Sequence, residues 1–235
     1  MDKTLLNTLE SIFKETQAES MFLYGSRART DYKEDSDYEI GVLYKKENKV
    51  SRSEIAKLHN FENVNIYPFI VEELAKYNLD TPFPKTIYLK ELIETGKTIF
   101  GEKILENMEP PKITLMDLLE RTVFDLATGF AAVRSFRNED LISASLNLKS
   151  ALFGVRVLEI LELKKFPYTY DEIFELSKNL ELEKEYKKLI EHAYNVRRGE
   201  KIKEKYLFKN ISFLNQEVLE RIKKEYKEKG DIEIL

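Results

Sequence analysis

The stretch Leu23-Tyr24-Gly25-Ser26-Arg27-Ala28-Arg29, followed by Asp35-Ser36-Asp37-Tyr38-Glu39-Ile40-Gly41-Val42, decides how this chain is read. Its pattern is an apolar strand, a tight Gly-Ser turn, a short connection and a second strand with two carboxylates. Side chains alternate along a strand, so Asp37 and Glu39 share one face while Tyr38, Ile40 and Val42 share the other. Two carboxylates on one open face suit a hard divalent cation such as Mg2+, which prefers oxygen ligands and keeps phosphate oxygens in its shell. A turn as small as Gly25-Ser26 lets backbone N–H groups approach phosphate with no side chain in the way. Arg27 and Arg29 add planar guanidinium groups suited to two-pronged phosphate contacts. The stretch therefore has the parts needed to hold a metal–triphosphate. A Gly-Ser turn alone is common, and so is an exposed D-x-E strand; a polar-faced hairpin is the bland alternative.

Working outward, Leu5, Leu6, Leu9, Ile12 and Phe13 recur at helical spacing and predict a helix from about Thr4 to Thr16. Ser51 or Ser53 is placed to cap a helix running to His59. Asn63 to Ile70 alternates as a third strand, with Pro68 marking an end or an edge. Val71 to Tyr77 and Lys85 to Thr95 read as helices, and Thr98-Ile99-Phe100 as one more edge strand. Strands alternating with helices argue for a small mixed unit. Glu109-Pro110-Pro111 then breaks the pattern, since prolines disfavour helix before them and permit a start after them. Beyond it come only long helices: Thr114 to about Arg137, Ser143 to about Leu163, Tyr170 to Leu180, Glu181 to Arg197 and Ile211 to Glu228. The expected fold class is α+β, a small mixed sheet with helices over residues 1–109, then an all-α helical bundle over 110–235.

Bulk composition narrows the chemistry. The 235 residues are 43% hydrophobic and 34% charged, the balance of a globular chain with a heavily charged surface. A net charge of -4, from 38 Lys+Arg against 42 Asp+Glu, gives no global field for nucleic acid. With Cys at 0, disulfides, thiolate zinc sites and cysteine nucleophiles are excluded together, and His59 and His192 are too few for a histidine-rich metal site. No secretory pattern or long apolar run stands out, so the expectation is a cytoplasmic protein with no membrane partner.

Gly25-Ser26-Arg27-Ala28-Arg29 followed by Ser36-Asp37-Tyr38-Glu39 resembles the DNA-polymerase-β-like nucleotidyltransferase superfamily. Its members join a Gly-Ser turn to a strand bearing two metal-binding acids. The second acid is usually Asp; the Glu39 variant at this spacing is similar to the kanamycin (aminoglycoside) nucleotidyltransferase type. The resemblance implies Mg2+ on Asp37 and Glu39, with ATP or another NTP held at Gly25, Ser26 and Arg29; Arg27 has no matching arginine in the kanamycin enzyme and is a phosphate candidate from its distance to Ser26. It further implies a catalytic base on the first helix of the C-terminal half, where Asp125 falls at the matching position. An ion pair with Arg121, one helical turn earlier, is the plain alternative for Asp125. Two positions depart from the family pattern: Gly129 stands where a lysine is expected, and Asn65 where many members carry a third acid.

The activity this resemblance implies is transfer of a nucleoside monophosphate, AMP from ATP, to a hydroxyl of a small acceptor such as an aminoglycoside, with release of pyrophosphate. A cationic acceptor would suit acidic lining, for which Glu139 and Asp140 are candidates. A homodimer is implied, and no nucleic-acid partner. Two alternatives stay open: the same chemistry on a protein or other acceptor, and a degenerate nucleotide-binding or interaction module.

Overall fold

The computed structural model describes residues 1–34 and 36–235; Asp35 of the opening stretch lies outside the described residues. The chain divides into two compact units, Met1–Pro111 and Lys112–Leu235.

In the first unit, α1 (Lys3–Glu15) is capped by Asp2 and leads to β1 (Ser20–Tyr24), the short α2 (Ser26–Arg29) and β2 (Tyr38–Tyr44). Then follow α3 (Arg52–Ile55), β3 (Val64–Ile70), α4 (Val71–Ala75), α5 (Lys85–Thr95) and β4 (Lys97–Gly101). The described strands form one mixed sheet in the order β3-β2-β1-β4. β1 is antiparallel to both β2 and β4, while β2 and β3 are parallel. Pro68 lies on β3, an edge strand, where its missing N–H removes no ladder bond to an outer neighbour. Ser51 caps α3 through a reciprocal box with Glu54, after which the chain tightens into a 3-10 turn over Ala56–Leu58.

Strand alternation sorts the core into two clusters. Met21, Ile40, Val42, Tyr44, Val64 and Ile66 pack with Leu5, Leu9 and Ile12 of α1 and Ile55 of α3. The opposite face, with Phe22, Tyr24, Leu43 and Phe69, packs on Leu89, Leu92 and Ile93 of α5. Each buried aliphatic or aromatic side chain contributes about 1.5–3 kcal/mol over leaving it in water, so these clusters fix the strand register. Gly41 is needed here because a Cβ would lie 2.0 Å from the Phe22 ring.

The second unit is helical. Thr114 caps α6 (Leu115–Arg137) in a box with Asp117. It is followed by α7 (Leu141–Asn147), α8 (Ser150–Leu163), α9 (Tyr170–Ser177) and α10 (Lys184–Arg197). Next, α11 (Glu204–Ser212) passes through a π-helical turn, Phe213–Leu219, into α12 (Glu220–Lys229). Near the C-terminus, Ile113 exchanges backbone bonds of 2.7 Å with Leu235 and Ile234. The expected continuous helix from Ser143 to Leu163 is instead α7 and α8. The Ser150 hydroxyl donates to the Asn147 carbonyl at 2.9 Å and accepts from Asn210 Nδ2 at 2.8 Å, holding the break where side chain competes with backbone. The span 141–163 has the length and composition of a membrane helix. α8 is nonetheless the core helix of the unit, buried from Ser150 to Leu161 except at Phe153, with Arg156 and Glu159 inside it.

Candidate active site

The site of the first unit starts from a cross-strand row. Tyr24 of β1 pairs with Glu39 of β2, and Glu39 pairs with Asn65 of β3. Residues paired across strands share a face, so this row brings the second carboxylate and the candidate third position together. Asp37 comes just before β2 and joins the same face: Asn65 Nδ2 donates to Asp37 Oδ2 at 2.9 Å. Asp37 is exposed, whereas Glu39 and Asn65 are half-buried.

Glu39 runs along the backbone of the Gly-Ser turn. A Cβ at Gly25 would lie 1.8 Å from Glu39 Oε2, and Gly25 has a φ of +70°, so both space and backbone conformation demand glycine. The next residues, Ser26 to Arg29, form α2, in which the N–H groups of Ala28 and Arg29 donate to the Gly25 carbonyl. The amides of Ser26 and Arg27 precede the first intrahelical bond and so remain on the donor side of the turn. Turn, first carboxylate and second carboxylate are thus adjacent.

Tyrosines surround Glu39. Burial pushes the hydroxyl of Tyr24 far above its ordinary value, helped by the charges of Tyr88 and Glu39. Burial does the same to Tyr88 of α5, with Glu39 and Glu91 adding and a hydrogen bond to Tyr24 opposing. Both hydroxyls stay neutral and keep their protons for donation. A signal for this lining was present in Tyr88 and Glu91, polar residues one turn apart on a helix whose remaining sheet-facing positions are apolar.

Both candidate arginines have partners within the protein. Arg27 Nε donates to the Ser36 carbonyl at 2.8 Å and one Nη to the Glu34 carbonyl at 3.0 Å. Its guanidinium also lies 4.0 Å from the Tyr38 ring centroid and 4.7 Å from that of Tyr32. Arg29 forms ion pairs with Asp31 and with Glu91 of α5, its side chain only 10% exposed. Carboxylates and carbonyls, harder to displace than water, already engage both guanidinium groups.

Asp125 also has partners. It is 1% exposed, and its two oxygens accept from Arg121 Nε and Nη2 at 2.9 Å each. Burial raises its carboxyl above the ordinary range, and the positive charges of Arg121, Arg156 and Lys149 oppose that rise. Asp125 is thus paired with Arg121 within the helical unit, the plain alternative that the sequence offered. Gly129 is buried beside Asn210, whose Nδ2 is 3.2 Å from where a Cβ would be. Asp140 caps α7 by accepting from Ser143 N at 3.0 Å. Glu139 lines an open cavity of about 570 Å³ in this unit, with Phe136, Arg137, Leu141 and Glu204.

Among the described residues no group of three or more His, Cys, Asp or Glu forms a metal cluster. The donor set of the row is two carboxylates and an amide, all oxygen-bearing, which fits Mg2+ and excludes a soft-ligand metal.

Residues 7–104 match the family described as polymerase beta, nucleotidyltransferase. Among curated proteins none matches the chain. Among solved structures, the spectinomycin adenyltransferase AAD(9) from Enterococcus faecialis, solved with ATP and spectinomycin, shares the fold at a TM-score of 0.61. The two are 15% identical, and the match covers 93% of this chain and 98% of that one. The Gly25-Ser26 turn, Asp37 and the strand bearing Glu39 lie inside the matched span, and residues 7–104 are accordingly a nucleotidyltransferase domain of the polymerase-β type.

Proposed function

We propose that the chain transfers the nucleoside monophosphate of a Mg2+-bound NTP, ATP by analogy with the AAD(9) structure, to a hydroxyl of a small aminoglycoside-like acceptor. The observation that carries the reading is the Tyr24–Glu39–Asn65 row beside Gly25, with Asp37 tied to Asn65. In the transfer, the acceptor oxygen bonds to the α-phosphorus, the bond from that phosphorus to the β-phosphate oxygen breaks, pyrophosphate leaves, and the hydroxyl proton is released. Asp37 and Glu39 hold the cation, and their fixed positions orient the triphosphate for in-line displacement. Mg2+ bound there supplies positive charge beside the phosphate oxygens. Ser26 and the amides that follow Gly25 bind the β- and γ-phosphates. Arg29 and Arg27 shape the turn and its connection rather than bind phosphate. The acceptor's cationic class rests on the likeness to AAD(9).

A screen with α-labelled ATP over spectinomycin, other aminoglycosides and simple polyols tests this, with Asp37→Ala as control. Labelled acceptor plus stoichiometric pyrophosphate, both lost in Asp37→Ala, is the expected result; full turnover by Asp37→Ala would sink the mechanism. Asn65 in place of a third acid favours one other reading, a nucleotide-binding module without turnover. Mg2+-dependent ATP binding with no pyrophosphate from any acceptor would select it.

A further inference from the structure

We infer that Arg27 is a positioning residue for Asp37, holding the backbone on which that metal ligand stands. The inference rests on the proposed metal–nucleotide reading and assigns Arg27 a role other than phosphate binding. Asp37 lies outside β2, which begins at Tyr38, so the sheet ladder alone does not fix it. It is exposed as well, and no hydrophobic burial holds its side chain. Both chain neighbours of Asp37 are gripped by the same guanidinium. Arg27 Nε donates to the carbonyl of Ser36 at 2.8 Å, which orients the peptide leading into Asp37. Its plane stacks on the ring of Tyr38 at 4.0 Å, on the far side of Asp37. A second donor reaches the Glu34 carbonyl at 3.0 Å, and Tyr32 lies 4.7 Å away.

Two further contacts complete the frame. The backbone N–H of Tyr38 donates to the Asn63 carbonyl at 2.8 Å, and the Asp37 carboxylate itself receives Asn65 Nδ2. Arg27 starts from α2, the same short helix that opens at Gly25 and Ser26. It therefore ties the phosphate-binding turn to the metal-binding residue, so that the two move as one piece. Arginine suits this because a planar fork can donate in its plane while stacking on its face; lysine can do only the first.

The test compares wild type, Arg27→Lys, Arg27→Gln and Asp37→Asn in the full chain. ATP affinity is measured by calorimetry in Mg2+ and in EDTA, and amide hydrogen exchange is followed over residues 31–38. The expected result for Arg27→Gln is about tenfold weaker Mg·ATP binding, metal-free ATP binding within twofold of wild type, and faster exchange over 31–38. Arg27→Lys should recover part of each, its ammonium donating from a single nitrogen and having no stacking plane. Equal losses of affinity with and without Mg2+ would mean that Arg27 touches phosphate, and would overturn the inference. Unchanged exchange over 31–38 in Arg27→Gln would overturn it too. Asp37→Asn separates the underlying reading: if it binds Mg·ATP as wild type does, the metal site itself is wrong, whereas the exchange result still decides whether Arg27 holds this segment.

Discussion

Asn65 Nδ2 donates to Asp37 Oδ2 over 2.9 Å, so the position that could carry a third acid instead braces the first. Replacing it by aspartate would exchange a donor for a like charge on the same face as Asp37 and Glu39. Without metal, Asn65→Asp should lose about 1 kcal/mol of stability from repulsion between carboxylates on neighbouring strands. With metal the sign reverses, because a third oxygen ligand adds charge to the site. The expected outcome is a larger Mn2+-induced rise in melting temperature for Asn65→Asp than for wild type. An equal rise would show that position 65 does not face the cation.

Gly25→Ala meets two independent penalties. A φ of +70° with a ψ of -157° is open essentially to glycine only, and the new Cβ would sit 1.8 Å from Glu39 Oε2. Backbone strain of this kind amounts to about 1–3 kcal/mol, and the displaced carboxylate adds to it. Urea midpoints should therefore fall for Gly25→Ala, with Mg·ATP binding lost. Adding Glu39→Ala should return only the steric part of the stability, and a double-mutant cycle measures that part. Full recovery in the double variant would mean the backbone conformation carries no strain.

Legibility from sequence followed the range of each interaction. Asp37 and Glu39 on one face follow from period-two alternation, and Pro68 at an edge strand from its missing N–H, both local properties; the place of Asn65 beside Glu39 is set by strand pairing and was legible only through the family resemblance. The cap at Ser51 is equally local. The protein partners of the arginines were not legible, because guanidinium chemistry suits phosphate, carbonyl and carboxylate alike, and the partner is set by the fold. Arg29 finds Glu91, 62 residues away, a pairing that only the packing of α5 against the sheet creates. The break before Ser150 depends on Asn210, 60 residues on, and leaves no mark on local hydrophobic periodicity.

Asp125 and Arg121 form a buried two-pronged ion pair, and this geometry makes a prediction that a catalytic base would not. Removing one partner leaves a buried charge uncompensated. Asp125→Ala should lower stability by about 3–5 kcal/mol, whereas Arg121→Met with Asp125→Leu should regain most of it by packing apolar groups in the same space. Urea unfolding checks both. A base exposed to an acceptor would instead give an Asp125→Ala variant of near wild-type stability with reduced turnover.

Glu159 contributes a pH response to the helical unit. It is 0% exposed, and neither carboxylate oxygen finds a hydrogen-bond partner among the described residues. Burial lifts its carboxyl from an ordinary 4.5 to about 8, with Arg156 opposing. The folded state therefore keeps the proton that the unfolded chain gives up. Below pH 4.5 both states are protonated and nothing is lost. Between 4.5 and about 8 stability falls by about 1.4 kcal/mol per pH unit, reaching a loss of about 5 kcal/mol over the 3.5 units (8 minus 4.5) before it levels off. Glu159→Gln removes the ionisation and keeps the shape. Its urea midpoint should match wild type near pH 4.5 and exceed it increasingly up to pH 8.5. Parallel pH profiles for the two proteins would place Glu159 in contact with solvent or a cation that stabilises its charge.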